Sequence, residues 1–216
     1  MGEFSATLRQ QVLSWLTSNV PESRIKHVLR VEQMAVELAG AHNLDTSRAA
    51  QAGLMHDLAK YFKPHVLLQM AEAAALPLDR IDKLNPHLLH AEVGAIVARQ
   101  TFDVQDPEVL AAIANHTLGQ PGMSDLSCVV FLADSLEPGR GNSCTLDSLR
   151  QLSQCHLHQA VWMTCDDTLK HLLSTGRLIH PRAVATRNWF MHHYPLSQKL
   201  RKRCLTQNEE TPPLPN

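Results

Sequence analysis

The 216-residue sequence predicts an all-α fold. Three observations predict it. Apolar residues recur with helical period along almost every long segment. Proline and glycine cluster at short intervals between those segments. Strand signals are scarce, and the best β-branched run, "CVVFLA" at 128–133, continues into helix-compatible residues.

The elements follow in order. In "SATLRQQVLSWL" the residues Leu8, Val12, Leu13, Trp15 and Leu16 lie largely on one helical face. Pro21-Glu22 opens a second helix with Ile25, Val28, Leu29, Val31, Met34, Ala35 and Leu38 as its apolar set. Asp45 or Thr46 caps a third, "DTSRAAQAGLMHDLAKYF", which ends ahead of Lys63-Pro64. Further helices are predicted at 64–75, 89–101, 107–116, 124–134, 145–174 and 181–193. Turns fall at "NPH" (85–87), "LGQPGM" (118–123) and "EPGRGNS" (137–143). The end, "TQNEETPPLPN", is polar and proline-rich and is expected to be disordered. The expected organisation is an N-terminal helix within 1–20, a domain over 21–195 and a tail over 196–216.

Composition bounds the function. Apolar residues make up 44% and charged residues 19%, the proportions of a soluble globular chain. A net charge of −1 supplies no basic field to recruit nucleic acid. The five cysteines include no C-x-x-C pair, which points to free thiols in a reducing compartment. Cys155, His156, His158 and Cys165 fit no common zinc spacing. Neither a leader pattern nor an apolar run of about 20 residues is visible. The expectation is a cytoplasmic protein without a membrane partner.

The chemistry concentrates around "AGLMHDLAK" at 52–60. Burying an unpaired charge costs several kcal/mol or more, so His56 and Asp57 either mark a polar helix edge or enter a closed polar site. Candidate ligands recur along the chain as His27, His56-Asp57, His90, His116 and Asp134, each on a different predicted helix or helix end. Adjacent helical residues point about 100° apart, so His56 and Asp57 can both reach a site between helices, with the carboxylate bridging two ions. Six ligands are too many for one tetrahedral zinc and suit a pair of metals. Imidazole with carboxylate favours iron, manganese or zinc over calcium. Lys60 lies one helical turn after His56, and Arg140 follows a Pro-Gly turn after Asp134. Thr117, Gly119 and Gly122 belong to the turn that follows His116. His87 is a candidate support for His90, and Asn188-Trp189 a candidate pocket lining. The other histidines, His42 and His65 among them, are read as structural or surface residues.

His27, His56-Asp57 and Asp134 match the H…HD…D pattern of the HD-domain metal-dependent phosphohydrolases. "LLHAEVGA" (88–95), "NHTLGQPGM" (115–123) and "FLADSLEPGR" (131–140) resemble the YqeK-like branch, symmetrical diadenosine tetraphosphate hydrolases that release two ADP. The resemblance covers roughly residues 20–195. It implies an HD-domain helical bundle with a di-metal site between helices, two transition-metal ions (iron first, then manganese or zinc) and a dinucleoside polyphosphate substrate. It further implies catalytic roles for Asp57 and Lys60, phosphate contacts from Lys60 and Arg140, and backbone N–H groups of the Thr117, Gly119 and Gly122 turn facing a phosphate. It leaves a homodimer open. Two positions depart from the pattern: Gln120 stands where the branch commonly has arginine, and Ser135 where an aromatic is common. Gln120 is therefore a candidate substrate contact whose change bears on which nucleotide is preferred. The alternatives are a phosphohydrolase for another nucleotide, such as a deoxynucleoside monophosphate or guanosine tetraphosphate, and a regulatory nucleotide-binding module.

Overall fold

A computed structural model describes residues 5–196. Helices α1 (Ala6–Asn19), α2 (Glu22–Ala41), α3 (Thr46–Met55), α4 (Pro64–Ala73) and α5 (Arg80–Leu84) come first. Helices α6 (His90–Phe102), α7 (Pro107–Asn115), α8 (Asp125–Leu136), α9 (Cys144–Cys155), α10 (Leu157–Ser174) and α11 (Pro181–His193) follow. Short 3-10 turns at Pro86–Leu89 and Pro138–Arg140 lead into α6 and follow α8. No strand occurs among the described residues, so the fold is all-α. No described helix is long and apolar enough to cross a membrane.

Side-chain caps set the helix starts. Ser5 accepts from Leu8 N, Asp45 from Ser47 N and Arg48 N, Asp106 from Glu108 N and Val109 N, and Ser124 from Ser127 N. Each satisfies backbone donors that the first helical turn leaves unpaired. Helices α2, α3, α7 and α8 pack around one core, with α6 against α7 and α10 against α8, α9 and α11. Gly53 lets α3 close on α2, since a Cβ there would lie 3.1 Å from Glu32 Cα. That approach brings the His27 turn of α2 beside the end of α3.

The run that looked most like a strand is the central helix. Every residue from Leu126 to Ala133 in α8 is buried, so its sequence reads as continuous apolar character without a polar stripe. Helix α1 buries Val12 and Leu16, and Trp15 sits between Phe62 and Phe102 at ring distances of 6.4 and 6.3 Å. Residues 197–216, nearly all of the expected disordered tail, lie outside the described residues.

Three expectations are corrected. Helix α3 stops at Met55 instead of running on to Phe62. The His56 ring takes the Gly53 carbonyl at 2.7 Å, the acceptor that Asp57 N–H would use in a continuing helix. Residues 56–62 instead form tight turns, with Lys60 N donating to Asp57 O at 3.1 Å and Phe62 N to Ala59 O at 3.1 Å. The expected 145–174 helix is two helices, broken where His156 is extended (φ −140°, ψ 72°). In one straight helix Leu152 and Leu157 would point about 140° apart, and the bend lets both enter the core. Helix α5 was not anticipated, because five residues are too few to show a period. It is held by an Asp79–Asp82 capping box.

Candidate metal centre

Four buried imidazoles converge, and all four are oriented from behind. His56 ends α3, His116 ends α7 and His90 begins α6. Helix ends leave carbonyls free, and each of these rings donates Nδ1–H to the carbonyl three residues back. His56 uses Gly53 O (2.7 Å), His90 uses His87 O (2.5 Å) and His116 uses Ile113 O (2.8 Å). His27 lies inside α2, where backbone carbonyls are already engaged. Its Nδ1 instead meets Glu137 Oε1 at 2.9 Å. Each ring thereby keeps a proton on Nδ1 and turns Nε2 into one shared space. His87 contributes through its backbone carbonyl.

Asp57 stands between the rings. Its Oδ2 lies 3.4 Å from His56 Nε2 and 3.8 Å from His27 Nε2. Its Oδ1 lies 3.4 Å from His90 Nε2 and 3.7 Å from His116 Nε2. Asp134 Oδ1 joins the first pair, at 3.1 Å from His27 Nε2 and 3.7 Å from His56 Nε2. Burial opposes ionisation of Asp57, but His56, His90 and His116 outweigh it and hold the carboxyl well below its ordinary value. Asp134 is held down against burial by His27, His56, His116 and Arg140. Burial, reinforced by the neighbouring His56 and His90, pushes His116 down to about 3, so this ring is neutral near pH 7.

These donors fit metal ions. His27, His56 and Asp134 offer ligand atoms within 4.8 Å of one another, and so do His56, Asp57 and His116. The buried Nε2 atoms of His27 and His56 have no hydrogen-bond partner of proper geometry. His90 Nε2 and His116 Nε2 face each other at 3.0 Å. A cation placed between two such nitrogens would be bound by both. Burial opposes protonation of His56, but Asp57 and Asp134 outweigh it and raise its pKa, so a metal ion there would displace a proton. Imidazole nitrogens with ionised carboxylates are the donor set of a transition-metal site.

The structure brings Lys60 and Thr117 to this centre. Lys60 Nζ lies 3.1 Å from His90 Nε2, and Thr117 Oγ1 lies 3.0 Å from His116 Nε2 and 3.2 Å from His90 Nε2. Lys60 arrives there through the tight turns after Asp57, not through a continuing helix. Arg140 is also at the centre, donating Nε–H to Asp134 O at 2.7 Å and Nη2–H to Asp134 Oδ1. It therefore supports a candidate ligand, where the sequence suggested a phosphate contact. Gly119 and Gly122 serve packing: both have positive φ, and a Cβ at Gly119 would lie 2.5 Å from Thr186 Cγ2, one at Gly122 3.4 Å from Trp189. Trp189 thus packs on the turn that follows His116. The side chain of Gln120 in that turn is exposed.

Two residues were missed. Arg24 Nη1 donates to Asp57 Oδ2 at 2.9 Å, and Glu137, besides holding His27, is paired with Arg30 and accepts from Gly139 N. A sequence signal existed for both. Arg24 stands three residues before His27, and Glu137 three after Asp134, spacings that share a helical face.

Residues 24–139 match the HD domain family. The chain is 32% identical over 183 residues to a Bacillus subtilis protein named bis(5'-nucleosyl)-tetraphosphatase, symmetrical, covering 85% of this chain and 97% of that one. A Halalkalibacterium halodurans protein of the same name is 31% identical over 182 residues, covering 83% and 95%. A crystal structure from Clostridium acetobutylicum, of a "predicted HD superfamily hydrolase involved in NAD metabolism", superposes with a TM-score of 0.82. It is 34% identical, and the match covers 89% of this chain and all of that one. The matched stretch holds all four converging rings and both carboxylates, and the chain belongs to the HD-domain family.

Proposed function

We propose that this protein is a metal-dependent hydrolase that cleaves diadenosine tetraphosphate symmetrically into two ADP. In this reading His27, His56, Asp57, His90, His116 and Asp134 would hold two ions, with Asp57 offering one oxygen to each histidine pair. One observation carries it: the two oxygens of Asp57 face different histidine pairs, as a carboxylate shared by two ions requires. The substrate rests on the activity named for the Bacillus and Halalkalibacterium relatives.

Two such ions, when bound, lower the pKa of water and neutralise charge on the phosphoryl oxygens during in-line displacement. The remaining tasks fall to the chain. Lys60 offers an ammonium, and Thr117 a hydroxyl, to a phosphate oxygen at the His90–His116 end. Arg24 offers a guanidinium at the other end, where Asp57 Oδ2 lies. Glu137 and Arg140 hold His27 and Asp134 in place. In the balance of the reaction, the water oxygen joins one of the two central phosphorus atoms. The bond from that phosphorus to the bridging oxygen breaks, and the released protons pass to product oxygens and solvent.

The donor set accepts iron, manganese or zinc, and we expect iron. Exposed free Cys144 and Cys155 suit a reducing, cytoplasmic setting. The test is product analysis of the metal-loaded enzyme with diadenosine tetraphosphate. ADP alone supports the reading; AMP with ATP, or no cleavage beside turnover of a nucleoside monophosphate, overturns it.

A further inference from the structure

Tyr61 follows Lys60 directly, yet none of the chemistry above uses it. It is 49% exposed, the one aromatic ring among the exposed large apolar side chains of the described residues. Single exposed apolar residues are ordinary on protein surfaces, so exposure by itself means little. The placement is what distinguishes Tyr61. The adjacent Phe62 turns inward onto Trp15 at 6.4 Å, which anchors the turn and leaves Tyr61 facing out. Arg24 lies between this ring and the centre: its guanidinium carbon is 6.0 Å from the ring centroid, while its Nη1 reaches Asp57 Oδ2 at 2.9 Å. One guanidinium thus separates an exposed aromatic ring from the carboxylate between the histidine pairs.

The symmetric substrate asks for that arrangement. Its scissile linkage is separated from each base by two phosphates and a ribose, so a base must rest beside the ligands and not among them. The segment between carries negative charge, which a guanidinium matches. The base itself offers a flat π face, for which an aromatic side chain is the general partner. We propose that Tyr61 is the stacking platform for one nucleobase of the substrate, with Arg24 spanning the phosphates between that base and Asp57. The assignment rests on the nucleotide-hydrolase reading above and adds a binding subsite to it.

The test compares two inhibitors of diadenosine tetraphosphate cleavage: ADP, which carries a base, and inorganic pyrophosphate, which does not. Stacking on one aromatic side chain is worth about fivefold to a hundredfold in affinity. Tyr61→Ala is expected to weaken ADP inhibition and raise KM within that range, with kcat changed less than about threefold. Pyrophosphate inhibition should hold within about twofold, because no base is involved. Tyr61→Phe, which keeps the ring, should restore ADP inhibition. Equal shifts for ADP and pyrophosphate, no shift for either, or a Phe variant as impaired as the Ala variant overturns the platform. Wild-type enzyme that ADP does not inhibit overturns it too. A thermal melt of each variant identifies any loss caused by unfolding, and Tyr61→Leu then replaces Tyr61→Ala as the ringless variant. Failure of the parent reading is seen separately, as wild-type product other than ADP.

Discussion

Glu137 Oε1 lies 2.9 Å from His27 Nδ1, and both side chains are buried. Burial opposes ionisation of Glu137, but contacts from Arg30, His27 and Gly139 N bring its pKa down to about 2, so it is a carboxylate throughout the physiological range. It fixes the proton on Nδ1 and aims Nε2 at Asp134, the task that helix-end carbonyls perform for the other three rings. Losing such an outer partner typically costs about 10–100-fold in metal affinity. Glu137→Gln should lower retained metal by that order while far-UV circular dichroism is unchanged. Elemental analysis after dialysis checks this, and full metal retention contradicts it.

Asp57→Asn removes the charge that both histidine pairs share. Activity should fall by more than about a hundredfold, with metal content reduced and helicity intact. His65 is exposed and remote in role, so His65→Ala is the control. His42 would be a poor one, because its Nε2 bonds Ser153 O at 2.7 Å and ties the end of α2 to α9. Equal damage from Asp57→Asn and His65→Ala would show that packing, not ligation, is being probed.

At Gly119 the constraint is steric. Its φ is +65°, and a Cβ would press on Thr186 Cγ2 at 2.5 Å. Gly119→Ala should destabilise the fold by about 2–4 kcal/mol, combining the left-handed backbone with overpacking. Thr186→Ser removes that methyl and keeps the hydroxyl that donates to Leu118 O at 3.0 Å. The double variant should recover about 1 kcal/mol. Denaturant titration of the four proteins decides it, and strict additivity would refute the contact.

The thiols divide sharply. Burial raises Cys128 well above its ordinary value and Cys165 to about 12, whereas Cys144 and Cys155 are exposed. Thiolates are the reactive form, so the buried pair is protected both by protonation and by access. In a Cys204→Ser background, a disulfide reagent at neutral pH should titrate two thiols in the native protein and four in denaturant. Three or more fast native thiols would contradict the packing of α8 against α10.

Gln120 is exposed on the turn that follows His116, where it presents a neutral amide. Charge-assisted hydrogen bonds are roughly twice as strong as neutral ones. Gln120→Arg should lower KM for diadenosine tetraphosphate several-fold, with kcat less affected, since one such contact is worth on the order of 1 kcal/mol. Steady-state kinetics at one salt concentration measures it; an unchanged or raised KM would mean that this side chain does not face the phosphates.

Helix class, most helix starts and the six candidate donors were legible in the sequence, because each is a local property. Apolar period reports a helix within its own few turns, Asp45 and Ser124 cap the residues next to them, and histidine beside aspartate in an apolar stretch is conspicuous wherever it folds. The tertiary structure alone decided the rest. Glu137 reaches His27 across 110 positions; its place three residues after Asp134 marks a shared face but does not name that partner. The turn from His56 to Phe62 departs from helix because the His56 ring competes for the Gly53 carbonyl. Gly119 and Gly122 proved to be clearance for α11, whose Thr186 and Trp189 lie more than sixty residues downstream. Arg24, which the sequence did not single out, and Arg140, which it offered as a phosphate contact, are partners of Asp57 and Asp134. Local sequence states which donors a chain owns. Which lone pairs meet, and what holds them at that angle, depends on long-range packing.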